Sequence, residues 1–300
     1  MIIKENVIVD DSNFEVEVKD YGKIISLAPS NTEIIYSLGL DNKLIGVTKF
    51  CNWPMEVTER IANGELKVIG GFYDPDIELI KKLNPDLILG TLGIQKKVIE
   101  DLRSKGLQVI AIYPKNLEDI FMSIEALGFL FYKKYEAKKI ISYMREKISE
   151  ISKITSKSHK KFLYYELANY GNRLVTWGGG HWSKDLANLA NIKGIFDDDP
   201  SQFVIFQPYA ILDKKVDVIL ARKKYTKKEE VISRDGWGKL DAIKENKIYL
   251  VDCFTNYSIA YRPSIRILQG LKVLAYTVHD ELREEIKDIA IPYVDECQAY

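Results

Sequence analysis

The sequence predicts an α/β protein of two lobes with mainly parallel sheets, the lobes joined by a single long helix. Three observations carry that expectation. Short apolar runs alternate with helical stretches in both halves of the 300-residue chain, the rhythm of parallel strands covered by helices. Two segments, Ile77 to Gly90 and Tyr209 to Ala221, are near-copies that each read as a helix end, a polar turn carrying an Asp, and an unbroken apolar run. Such a run lacks the alternation of a one-sided sheet and fits a strand buried on both faces. Between the halves, Ala137, Ile140, Ile141, Met144, Ile148 and Ile151 recur at helical spacing, over a stretch that would span about 30 Å at the helical rise. The expected division is an N-terminal lobe over residues 1–133, the connecting helix over 134–158 and a C-terminal lobe over 159–300. Two lobes of this kind leave a cleft, and a cleft is where a ligand is expected.

The elements follow in order. Val7-Ile8-Val9 and Phe14 to Val18 alternate as a small hairpin or edge strands do. Ile24 to Leu27 reads as a strand, Pro29-Ser30-Asn31 as a turn, and Thr32 to Leu38 as a helix closed by Gly39. Strands at 44–47, 87–89 and 109–112 then alternate with helices from Asp76 to Leu83 and from Lys96 to Lys105, the latter stopped by Gly106. From Asn116 to Ile154 the composition is helical, with a break near Gly128 or Tyr132 to Lys134, and residues 155–161 form a polar boundary. The second series has strands at 162–167, 216–220 and 248–251, a helix from Ser183 to Ala190 with Ser183 as its N-cap, a helix from Ser264 to Tyr276, and a helical tail from Asp280 to Ile289.

Lys plus Arg and Asp plus Glu number 43 each, interspersed, so no charge asymmetry points to nucleic acid or an anionic membrane. The start, Met1 to Val7, has no apolar signal region. As it stands the sequence reads as cytoplasmic, or as extracytoplasmic if it is a trimmed mature form. Cys51, Cys253 and Cys297 are too widely spaced for a disulfide framework or a zinc site.

In open α/β sheets ligands sit beyond the carboxyl ends of the strands. The loops expected there carry Phe50-Cys51-Asn52-Trp53, Phe72-Tyr73, Tyr170, Trp177 to Trp182, and Cys253 to Tyr257. They are rich in aromatics and poor in charge, which suits a flat, partly apolar ligand. Gly178-Gly179-Gly180 before a helix could cradle a phosphate on backbone N–H groups, as in a nucleotide-binding enzyme, although it lacks both Gly-x-Gly-x-x-Gly spacing and a Walker lysine. His181 could ligate a metal, but no second ligand is near it in sequence. No catalytic triad order or carboxylate pair appears, so no enzyme is expected.

Lys23-Ile24-Ile25-Ser26-Leu27-Ala28-Pro29-Ser30-Asn31-Thr32-Glu33-Ile34 resembles the opening of the class III solute-binding proteins, the vitamin B12 and iron-siderophore receptors of ABC importers. Gly70-Gly71-Phe72, Pro85-Asp86-Leu87-Ile88, Arg234-Asp235-Gly236-Trp237, Lys247-Ile248-Tyr249 and Arg262-Pro263-Ser264-Ile265-Arg266 continue the match in order to about residue 276. The resemblance implies the helical-backbone fold of these receptors and a small-molecule metal complex as ligand. Cys51-Asn52-Trp53-Pro54, Gly180-His181-Trp182 and Pro200-Ser201 are similar to the cobalamin-binding branch. That branch implies a cobalamin-like corrinoid as cargo, with no catalytic cofactor, in a monomeric receptor. By position, Phe50, Cys51, Trp53, Phe72 and Tyr73 of the first lobe and Trp177, His181, Trp182, Phe203, Phe254, Tyr257 and Arg262 further along become ligand-binding candidates. The missing Asp-x-His-x-x-Gly motif implies that the corrinoid keeps its own base. A ferric siderophore or haem is the alternative, with Arg173, Arg262 and Arg266, or Tyr73, Tyr257 and His181, as its residues. Glu78 matches the acid by which such receptors dock on permease arginines, whereas Gln207-Pro208 stands at the second docking place.

Overall fold

The structure, a computed structural model, describes residues 1–251 and 262–291. The chain folds into two α/β units, each with a parallel sheet, and one long helix begins in the first unit and ends in the second.

In the first unit β1 (Ile2–Ile3), β2 (Val7–Val9) and β3 (Glu15–Glu17) form a small antiparallel sheet. The main sheet follows through β4 (Ile24–Ser26), α1 (Pro29–Ser37), β5 (Leu44–Val47), α2 (Met55–Ala62), β6 (Lys67–Val68), α3 (Ile77–Leu83), β7 (Leu87–Thr91), α4 (Lys96–Ser104) and β8 (Val109–Ile112). Its strands lie in the order β6-β5-β4-β7-β8, all parallel. The chain leaves β4 toward β5 and returns on its other side as β7, so β4 marks a topological switch point. Ile25, Leu27, Ile88 and Val109 of the strands meet Ile80, Ile99 and Leu102 of the helices in the core, each such side chain stabilising by about 1.5–3 kcal/mol.

Two expectations change here. Pro29-Ser30-Asn31 is the first turn of α1 rather than a separate turn, because proline at the first helical position presets φ and gives up an N–H that has no partner there. The helix α2 had no counterpart in the sequence reading.

The helix α5 (Leu117–Leu130) leads to α6 (Lys134–Thr155), whose 22 residues make it the longest in the chain. The two compact units divide within it, between Tyr143 and Met144.

The second unit contains β9 (Lys161–Glu166), β10 (Ala168–Asn169), β11 (Leu174–Trp177), α7 (Ser183–Leu189), β12 (Ile192–Gly194), β13 (Phe203–Phe206), β14 (Val218–Arg222), α8 (Lys228–Ser233), α9 (Asp241–Lys244), β15 (Ile248–Val251), α10 (Ile267–Val278) and α11 (Arg283–Lys287). Its parallel sheet runs β12-β9-β14-β15, and β10-β11-β13 forms a separate antiparallel sheet. Here β9 is the switch-point strand. The core gathers Tyr164, Leu174, Phe206, Ile219, Trp237 and Ile248.

The repeated segments do the same work in both units. Asp86, just before β7, accepts hydrogen bonds from the N–H groups of Gly22 (2.8 Å) and Lys23 (2.7 Å), where the chain approaches β4. Asp217, just before β14, accepts from the Phe162 N–H in β9 at 2.7 Å. In each case the Asp ties its own strand to the switch-point strand at their amino ends. The late strand therefore begins at Val218, two residues after its expected start.

Candidate functional site

In the first unit the loop after β5 carries Phe50, Cys51 and Trp53. Cys51 is only 2 % exposed. Its Sγ lies 3.2 Å from Thr32 Oγ1 in the first turn of α1 and 3.3 Å from Thr48 Oγ1. Burial pushes the thiol pKa up, partly opposed by these hydrogen bonds. This is a joint between loop and helix. Phe50 beside it is 38 % exposed, with Lys49 Nζ 5.4 Å from its ring centroid. Trp53 is half-buried.

Arg262 holds this loop from a distant point in the chain. Its guanidinium donates to the fully buried Glu33 of α1 (2.8 Å), to Asn52 Oδ1 (2.8 Å) and to the Phe50 carbonyl (3.4 Å). Ser264 Oγ donates to the other oxygen of Glu33. Arg262 therefore positions the aromatic loop.

The neighbouring loop presents Phe72 and Tyr73, their rings edge to face at 5.2 Å, with Tyr73 68 % exposed. Buried Gln95 fixes it. Its Nε2 donates to the carbonyls of Leu27 and Phe72, both at 2.8 Å, and its Oε1 accepts from Thr91 N–H at 2.8 Å. One amide thus ties the carboxyl ends of β4 and β7 to the Phe72 loop. Ile94 stands exposed beside it. Glu78 is exposed in the first turn of α3, 3.2 Å from Lys81 Nζ, behind an N-cap in which Asp76 accepts from Leu79 N–H.

In the second unit the Gly178-Gly179-Gly180 run packs on the chain at 197–202. Gly178 N–H donates to Gln202 O (3.0 Å), Gly179 to Asp199 O (2.6 Å) and Gly180 to Ser201 O (3.1 Å). A Cβ at Gly179 would lie 2.2 Å from the Asp197 carbonyl oxygen. The glycines are required for this close backbone approach. Their N–H groups are committed to carbonyls, so the phosphate cradle and the nucleotide-binding enzyme built on it are overturned.

His181 Nδ1 accepts from Ser183 N–H at 3.1 Å, and Trp182 occupies the N-cap position of α7. The cap is thus supplied by the His181 ring instead of by Ser183. That ring is 4 % exposed and lies 5.1 Å from Trp182 and 5.0 Å from Phe203 by centroids. Trp177 is 1 % exposed, donates to Asp197 Oδ1 at 3.2 Å and meets Tyr165 edge-on. Burial pushes the Asp197 pKa up, with the Gly194 N–H opposing it. Trp177 is packed in the core. Trp182 is buried as well; Phe203 and Tyr170 are exposed. Arg173 is exposed, while Arg266 is buried and donates to Gln269. Phe254 and Tyr257 lie outside the described residues, as do Cys253 and Cys297.

Below this surface, Glu166 at the end of β9 is fully buried and holds Arg234 through both carboxylate oxygens (2.5 and 3.0 Å). Tyr164 and Thr226 donate to it as well. Sequence reasoning missed Glu33, Gln95, Ile94 and Glu166. Only Glu166 gave a visible signal, as a lone charge in the apolar run Phe162 to Leu167. Among the described residues no three His, Cys, Asp or Glu side chains converge as metal ligands.

The fold agrees with what comparison shows. Residues 24–253 match the periplasmic binding protein family, and the chain belongs to it. It is a binding protein rather than an enzyme. It is 27 % identical over 288 residues to an uncharacterized ABC transporter substrate-binding lipoprotein of Bacillus subtilis, covering 93 % of this chain and 87 % of that one. It is 24 % identical over 255 residues to a vitamin B12-binding protein of Vibrio parahaemolyticus, covering 83 % and 86 %. Among solved structures, a possible iron-binding (periplasmic solute-binding) protein of Staphylococcus epidermidis superposes with a TM-score of 0.74 at 26 % identity, over 87 % of this chain and all of that one.

Proposed function

We propose that this chain binds a cobalamin-like corrinoid as the substrate-binding protein of an ABC importer. The observation that carries the reading is the set of exposed, charge-poor aromatics: Phe50 and Tyr73 in loops beyond the carboxyl ends of strands in the first unit, and Phe203, which pairs with Trp177 at the carboxyl end of β11, in the second. Flat apolar faces of this kind suit a macrocycle. The similarity to a vitamin B12-binding protein supports the same ligand class. The family supports an extracytoplasmic site of action, one of the two locations expected from the sequence. Glu78, exposed at the head of α3, is the residue offered to a permease.

Titration with hydroxocobalamin, followed by the visible spectrum and tryptophan fluorescence, tests the reading. Saturable binding below tens of micromolar is expected, and its absence rejects the corrinoid. Haem and a ferric siderophore run in parallel decide the second reading, which the exposed Tyr73 and the similarity to a possible iron-binding protein favour.

A further inference from the structure

The helix α1 starts at the carboxyl end of the switch-point strand β4, and its amino end is left uncapped. Ala28 stands at the N-cap with no side-chain hydrogen bond, Pro29 follows it, and the first turn holds no acid. Such positions are normally filled by Ser, Thr, Asp or Asn because the first N–H groups of a helix have no internal partner. The first backbone bond of the helix is from Thr32 N–H to the Ala28 carbonyl at 3.1 Å. The N–H groups of Ser30 and Asn31 have no hydrogen-bond partner among the described residues.

A second, independent observation lies at the same turn. Asn31 is 1 % exposed, and its Nδ2 has no hydrogen-bond partner among the described residues. Helical side chains lean toward the amino end, which sets this amide beside the two backbone donors. Three donors therefore gather where no acceptor among the described residues answers them. The nearby carboxylate, Glu33, is neutralised by Arg262. Thr32 binds the Cys51 thiol at 3.2 Å, so the Phe50 loop abuts this turn.

We propose that the first turn of α1 is an oxyanion subsite, taking a phosphate-type group through Ser30 N–H, Asn31 N–H and Asn31 Nδ2. Donors without acceptors at the positive end of a helix dipole suit an anion. This rests on the corrinoid reading, in which the group is the phosphodiester of the nucleotide loop.

Three proteins, the wild type, Asn31→Leu and Asn31→Asp, are titrated with hydroxocobalamin and with dicyanocobinamide, which lacks the phosphodiester. Wild type is expected to prefer the phosphodiester-bearing form by about tenfold, the worth of a hydrogen bond to a charged group. Both variants are expected to lose that preference while keeping their affinity for the cobinamide. Their ligand-free Tm is not expected to fall, since Asn31 Nδ2 bonds to nothing. Equal loss for both ligands, or an unchanged preference, overturns the subsite. If neither corrinoid binds, the functional reading fails, and inorganic phosphate decides the subsite alone. At matched ionic strength it is expected to raise the Tm of wild type and not of Asn31→Asp, and an equal response of the two rejects the proposal.

Discussion

The Phe50 loop of the first unit is fixed by side chains, and the His181 loop of the second is fixed largely by backbone. In the first, a guanidinium at position 262 reaches a buried carboxylate at 33 and the carbonyl and amide of the loop itself. In the second, three glycine N–H groups meet three carbonyls at 199–202 with no room for a side chain. A clamp of the first kind depends on charge and can be removed by one substitution that leaves the loop sequence intact. A seam of the second kind depends on volume and fails only when atoms are added. The two loops can therefore be perturbed separately.

The largest effect is expected from Arg262→Ala. Breaking a buried ion pair and leaving Glu33 uncompensated costs about 3–5 kcal/mol, read from urea unfolding. Replacing both partners, Glu33→Gln with Arg262→Met, is expected to recover part of that loss. Thiol labelling sharpens the point: Cys51, buried and raised in pKa, should label slowly in native wild type and quickly in Arg262→Ala. Unchanged labelling would mean that the loop is held by something other than the clamp.

Gly179→Ala comes next. Overpacking against the Asp197 carbonyl is expected to cost about 1–3 kcal/mol. Faster hydrogen exchange should be confined to 178–181 and 197–202 and leave the Phe50 loop untouched. Exchange spreading into the first unit would show that the two loops are coupled.

The smallest effect lies outside both loops and calibrates them. His279 is fully buried, its Nε2 lies 2.7 Å from the Ala190 carbonyl, and its Nδ1 has no hydrogen-bond partner among the described residues. Burial lowers its pKa below the ordinary 6.5, against the pull of Ala190 and Glu281. Its facing groups are Glu281, 3.9 Å away, and Lys161, which itself pairs with Glu281. The unfolded chain takes up the proton first, so the stability from a neutral His279 is complete above about pH 6.5 and is lost as pH falls toward the folded pKa. The slope is at most about 1.4 kcal/mol per pH unit for one proton, and His279→Gln should flatten it in a Tm series from pH 8 to 5.

What the sequence made legible follows from range. Leu87, Ile88 and Leu89 are fully buried, as an unbroken apolar run requires, and the α/β rhythm around them needs only neighbours in the chain. The Glu33–Arg262 clamp joins residues 229 apart, and no local pattern announces such a pair. Gly178 to Gly180 was visible but misleading: glycine signals a close approach without naming what approaches, and here it is a carbonyl instead of a phosphate. The uncapped start of α1 was hidden for a related reason. Ser30 and Asn31 look like ordinary turn residues until their missing partners are counted. The helix α2 escaped because Val57 is its one buried residue, which leaves almost no apolar stripe to detect.

The paired anchors Asp86 and Asp217 separate durability from adaptability in each sheet. Both stitch the amino ends of adjacent strands, which are the ends remote from the aromatic loops. Registration of the sheet is thereby settled on the side away from those loops. Loops on the opposite rim can then lengthen, shorten or exchange aromatics without unzipping the strands beneath them. The same two-point stitch could underlie many cargo preferences, provided that the carboxylate and its backbone donors are left in place.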